Sequence, residues 1–88
     1  TPLTAEALRR VGAAEEFLRR EMGLRQLRVR HHDPVARLEV PPEEWERVLD
    51  ERARQRIVAR LRELGYLFVA LDLAGFRSGS LNDALQKR

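Results

Sequence analysis

The chain has no cysteine, so it carries no disulfide framework, no thiolate metal site and no thiol nucleophile of its own. Lysine is nearly absent as well. Lys87 stands alone, and arginine supplies the rest of the seventeen basic residues. Fourteen acids bring the formal charge to +3, and the interleaving of the two signs suits solvated faces and surface pairs rather than a polybasic tail. Aromatics are few: one tryptophan, one tyrosine and three phenylalanines. Tyr66 and Phe68 fall in an apolar run, which leaves no basic stripe interleaved with exposed rings, so a nucleic-acid-binding module ranks third among the functional readings. No apolar run approaches the roughly 18 to 20 residues that cross a bilayer, and the amino end lacks a signal-peptide core. A soluble cytoplasmic protein with no membrane partner is the expectation. P-loop, GxGxxG, GxSxG and HExxH patterns are missing too, which removes the common nucleotide-binding, hydrolase and zinc-protease signatures.

What is present suits one domain over residues 1–88, with a single modest core. The chain begins at Thr1-Pro2 rather than at a methionine, as a piece of a longer protein would. Thr4 is placed to cap a helix over 5–22, with Leu8, Val11, Leu18 and Met22 on its apolar stripe and Gly23 as its stop. From Arg25 to Val40 the period changes to two, which predicts a β-hairpin connected through His31-His32-Asp33-Pro34-Val35. Pro41-Pro42 ends the second strand, and Pro42-Glu43-Glu44 suits the first turn of a short helix reaching Leu49, with Trp45 and Val48 toward the core. Asp50 is placed to cap a further helix carrying Ala53, Ile57, Leu61 and Leu64, which stops at Gly65. The run Tyr66 to Leu71 is almost continuously apolar, as in a strand covered on both faces or placed centrally. This order predicts an α+β two-layer sandwich: a small three-stranded, mainly antiparallel sheet, made of the hairpin and the C-terminal strand, with helices packed on one face.

If Leu27 and Val29 face the core, Arg28 and Arg30 share the opposite face, where Arg37 joins them from the neighbouring strand. Guanidinium groups present paired donors that match phosphate and carboxylate oxygens, which makes this face a candidate oxyanion site, with a solvated face balanced by Glu39 as the alternative. The acids Glu15, Glu16, Glu43, Glu44 and Glu46 are candidates for a hard-cation site. Glu15 lies on the apolar stripe of its helix and calls for a partner, for which an arginine of the sheet would suffice. His31 and His32 sit side by side at the turn and point to opposite faces, so they read as turn residues rather than as a chelating or acid-base pair. The closing run Leu71 to Asn82 spaces two glycines around Arg77 with Ser78 and Ser80 beside it. Such a segment binds anions or docks against another surface.

Taken together, Thr1-Pro2-Leu3-Thr4, Ala14-Glu15-Glu16-Phe17-Leu18, Arg28-Val29-Arg30-His31-His32, Ala36-Arg37-Leu38-Glu39-Val40 and the closing run resemble the C-terminal part of the ATP-dependent sacrificial sulfur transferases, the LarE family. The resemblance covers essentially the whole chain. It implies a longer parent whose N-terminal PP-loop ATP pyrophosphatase domain adenylates a carboxylate of a pyridinium biscarboxylate mononucleotide, after which a cysteine gives up its sulfur, on the route to a nickel-pincer cofactor. The PP-loop and that cysteine would precede Thr1, so this chain alone should not catalyse the reaction. ATP and Mg are implied for the parent, with no cofactor in this chain. Arg28 and Arg30 match the family's arginines that hold the phosphate of the substrate, with Arg37 and Arg77 as further candidates. A functional acid of the family matches Glu15 or Glu16, and a second matches Glu46. Implied partners are the ATP pyrophosphatase domain and a small phosphate-bearing substrate. The rival reading is a structural module that mediates homo-oligomerisation or another interaction without catalysis of its own.

Overall fold

The computed structural model describes residues 4–76. Helix α1 (Ala5–Arg20) starts where Thr4 accepts the Ala7 N–H on its hydroxyl at 3.0 Å. It stops two residues before the expected end, because the chain turns through Gly23 at φ 73° and Leu24 N–H donates to the Leu18 carbonyl. The left-handed turn costs a glycine least. Its buried stripe is Ala7, Ala14, Phe17 and Leu18, with Val11 and Met22 packed alongside. Leu8, expected on that stripe, is 56% exposed; the stripe begins one residue earlier, at Ala7.

Strands β1 (Arg28–His32) and β2 (Val35–Glu39) form the antiparallel hairpin. His31, His32 and Val35 are strand residues, leaving Asp33-Pro34, joined by a cis peptide bond, as the connection. A single 3-10 turn (Pro42–Glu44) leads into α2 (Trp45–Leu49), and the Trp45 indole N–H donates to the Val40 carbonyl at 2.7 Å. Asp50, extended at ψ 138°, separates α2 from α3 (Glu51–Glu63) and accepts the Ala53 N–H at 3.1 Å. These are therefore two helices, each with its own start.

Strand β3 (Phe68–Leu71) completes the sheet in the order β1-β2-β3. The α+β two-layer class holds, and the sheet is mixed, since β3 runs parallel to β2. That direction follows from the connection: α2 and α3 carry the chain back across the sheet, as a parallel pair requires. The expectation that 66–71 is central or doubly covered is corrected here. The centre belongs to β2, and β3 is an edge strand whose Phe68 and Ala70 are exposed. A run of apolar residues looks the same whether both faces are covered or one is left open.

Helices cover one face. Val29, Ala36 and Leu38 point inward and are at most 4% exposed, and they share a core with Leu18, Leu24, Val40, Leu61 and Tyr66. No described helix covers the opposite face, whose alternate positions are exposed on β1 and β3 and half-buried to buried on β2. None of the described helices is long and apolar enough to cross a membrane.

Candidate functional site

Strand register decides which side chains share the outer face, because residues opposite one another across a sheet point the same way. Arg28 pairs with Glu39, Arg30 with Arg37 and His32 with Val35; Val35 pairs with Phe68 and Arg37 with Ala70. The face is a grid of three rows. His32, Val35 and Phe68 lie at the hairpin end, Arg30, Arg37 and Ala70 in the middle, and Arg28 and Glu39 at the far end. Asp72 follows the end of β3, and its N–H donates to the Leu38 carbonyl at 2.9 Å.

Two carboxylates gather the arginine heads. Glu39 Oε2 accepts from Arg37 Nη1 at 2.8 Å and lies 3.3 Å from Arg30 Nε. Arg37 Nη1 also donates to Asp72 Oδ2, and its Nη2 lies 3.3 Å from His32 Nε2. Glu39 is only 8% exposed, a burial that its two guanidinium partners make tolerable. Arg28 is exposed, and its side chain makes no hydrogen bond or ion pair among the described residues. Thus the sheet does bring Arg28, Arg30 and Arg37 to one face, as the alternation required, but Arg37 is held by acids. With three arginines facing two carboxylates, the surplus positive charge sits at Arg28 and at the half-exposed head of Arg30. Arg77 lies outside the described residues.

The candidate acids are placed apart in role. Glu15 does meet a partner, but not the sheet arginine expected for it: its Oε2 accepts the Val29 N–H at 3.0 Å. β1 is an edge strand, so every second amide points away from the sheet and needs an acceptor; α1 supplies one. Glu16 pairs with Arg20 at 3.5 Å on the exposed side of α1, and Glu46 is exposed on α2. Among the described residues no three His, Asp or Glu side chains gather as metal ligands would.

His31 and Tyr66 form a separate polar contact on the inner side. His31 Nδ1 lies 2.7 Å from the Tyr66 hydroxyl, the rings meet edge-on, and the Arg10 guanidinium sits 5.8 Å from the centre of the fully buried Tyr66 ring. Burial pushes the Tyr66 phenol above its ordinary value; the Arg10 charge opposes this and Asp33 adds to it. His31 is therefore a packed strand residue rather than a loose turn residue.

Sequence reasoning missed two contributors to this face, and one contact of Glu44, which it considered only as a helix-start acid and a candidate cation ligand. Asp72 is an acid just past a strand, and only the parallel register of β3 brings it to Arg37. Phe68 was assigned to the core, and its exposure follows from the edge position of β3. Glu44 accepts the consecutive N–H groups of Arg25 and Gln26 at 3.0 and 3.3 Å, in a polar cleft of about 410 Å³ that Glu43 and Arg47 also line. Nothing local to Glu44 signalled that long-range contact.

Fold and face together define a small α+β domain with an arginine-bearing open sheet. No family model matches the chain. It is 42% identical over 85 residues to an uncharacterized protein of Synechocystis sp., covering 97% of this chain and 31% of that protein. It is also 42% identical over 88 residues to the pyridinium-3,5-bisthiocarboxylic acid mononucleotide synthase of Lactiplantibacillus plantarum, covering 99% of this chain and 30% of the synthase. Identity at this level from end to end makes the chain a homologue of part of that synthase and bears out its resemblance to the sacrificial sulfur transferases. The chain spans under a third of the length of either relative.

Proposed function

We propose that this chain is the C-terminal domain of an ATP-dependent sulfur transferase of nickel-pincer cofactor biosynthesis, and that its outer sheet face holds the phosphate of a pyridinium mononucleotide. The supporting observation is the unneutralised charge of Arg28 beside Arg30 on a solvent-facing sheet, in a homologue of a mononucleotide synthase. In this reading the ATP pyrophosphatase domain of the parent binds ATP and Mg and activates the carboxylate. The present domain makes no bonds. It fixes the substrate by its phosphate, which lowers the barrier through positioning and through donors set in advance.

The test is Arg28→Ala in the full-length protein. Sulfur transfer should be lost, while the stability of the 88-residue chain changes by less than about 1 kcal/mol, because Arg28 is an exposed side chain without a partner among the described residues. Transfer at the unmodified rate overturns the assignment.

A second reading, that the domain mediates association between copies, is favoured by the exposure of Leu67 and Phe68 at 60% and of Leu73 at 78%. Large apolar side chains exposed on and beside an edge strand suit a contact surface. Sedimentation of the chain as a strict monomer up to high concentration would remove this reading.

A further inference from the structure

The outer face has an aromatic end as well as a charged one. Phe68 stands in the hairpin-end row at 60% exposure, although a phenylalanine left in water forfeits the burial that favours its place in a strand. Next to it along β3 on the same face is Ala70, the smallest side chain of the grid, paired with Arg37. Beyond Ala70 the arginine heads are drawn toward the far row, since both Arg30 and Arg37 reach to Glu39, and Arg37 also to Asp72. The outer face thus carries a ring on β3 in the hairpin-end row, the methyl group of Ala70 beside it in the middle row, and guanidinium groups from β1 and β2 drawn toward the far row.

We propose that Phe68 is the ring-recognition residue of this face: the planar heteroaromatic ring of a mononucleotide stacks on Phe68 over Ala70, while its phosphate rests on Arg28 and Arg30. The proposal rests on the arginine reading above and adds the other half of the ligand. Rows on one face of a strand lie about 6.6 to 6.8 Å apart. A ring set against the inner side of Phe68 therefore leaves the phosphate one to two rows farther on and, because Arg28 and Arg30 stand on β1, two strands from β3, about 10 Å to the side, a gap that the ribose and the long arginine side chains reaching inward from β1 bridge together. Open sheet faces that bind nucleotides use this division of labour, with exposed aromatics taking bases and basic side chains taking phosphates. A pyridinium ring adds its own positive charge, which the face of a phenyl ring attracts. The small side chain of Ala70 matters as much, because a larger one would fill the space the ring needs.

The experiment uses the 88-residue chain and three probes: nicotinamide mononucleotide, ribose 5-phosphate, which lacks the ring, and nicotinamide riboside, which lacks the phosphate. Affinities come from calorimetry or from amide chemical shifts. The expected result is that nicotinamide mononucleotide binds about 5- to 150-fold more tightly than ribose 5-phosphate, the span of one aromatic stacking contact. Phe68→Ala should remove that advantage and leave ribose 5-phosphate unchanged, Phe68→Trp should restore it, and Ala70→Leu should remove it by filling the space the ring needs. Since Phe68 and Ala70 are exposed, circular dichroism of each variant should match that of the parent chain.

Equal affinity for nicotinamide mononucleotide and ribose 5-phosphate in the unmodified chain overturns the ring site while leaving the phosphate site standing. So does an advantage that survives Phe68→Ala. Tight nicotinamide riboside binding that depends on Phe68, with no effect of Arg28→Ala on either phosphate-bearing probe, supports the ring site and overturns the arginine reading instead. A fourth outcome, in which Phe68→Ala changes the sedimentation of the chain but no affinity, assigns Phe68 to a contact between copies and overturns the proposal.

Discussion

Glu39 is the residue on which the charge of the outer face turns. It is nearly buried, it receives Arg37 at 2.8 Å and it holds Arg30 at 3.3 Å. Its carboxylate does two opposed things: it orders the arginine heads, and it cancels part of their field. If the face binds phosphate, Glu39→Gln should keep the shape and remove the repulsion. A unit charge about 4 Å away contributes on the order of 1 kcal/mol even in water, so affinity for ribose 5-phosphate should rise about 3- to 10-fold. The same change weakens two charge-assisted contacts, and the chain should lose about 1 to 3 kcal/mol of stability. Titration calorimetry and urea unfolding separate the two effects. Unaltered or weaker phosphate binding in a folded variant would mean that the arginines serve the sheet rather than a ligand.

At the scale of elements, the link between α1 and β1 shows how a polar residue on an apolar stripe can be structural. Glu15 accepts the Val29 N–H at 3.0 Å at the open edge of β1, which both anchors the helix and blunts that edge against pairing with another strand. Val29 is 4% exposed, so removing the acceptor strands a buried donor. Glu15→Ala should destabilise the chain by about 1 to 3 kcal/mol, and hydrogen exchange at the Val29 amide should accelerate; Glu15→Gln, which keeps an oxygen acceptor, should recover most of the loss. An unaltered exchange rate at Val29 would show that the contact carries no weight.

The elements also show what the sequence made legible. Local signals were sufficient wherever the partner was near in the chain: Thr4 and Asp50 cap as expected, and the alternation around Arg28 to Glu39 gave the hairpin and its arginine face. They failed where the decision belonged to distant pieces. The apolar run before Asp72 could not reveal that β2 would take the centre of the sheet, that β3 would run parallel to it, or that Phe68 would stand in solvent. Nor could the oddity of Glu15 name its partner, since a backbone amide leaves no trace in residue type.

At the scale of the whole molecule, a two-layer domain with one layer of helices must leave a sheet face open, and here that face carries the surplus positive charge and the exposed ring. A domain of this size has a small core and a correspondingly small margin of stability. Ligand binding therefore forms an appreciable part of its total stability. At ten times its dissociation constant a phosphate ligand adds about 1.4 kcal/mol to the folded state, which in a chain of this length raises Tm by roughly 6 to 11 °C. Ribose 5-phosphate should produce that shift in the unmodified chain, followed through Trp45 fluorescence, and should fail to do so in Arg28→Ala at the same concentration. Because the face carries only a small excess charge, raising the salt from low to physiological concentration should reduce the shift without abolishing it, whereas binding by a general basic surface would collapse with salt. A chain whose Tm ignores ribose 5-phosphate at every salt concentration has no phosphate site on its own, and the arginines would then have to await the remainder of a longer protein to form one.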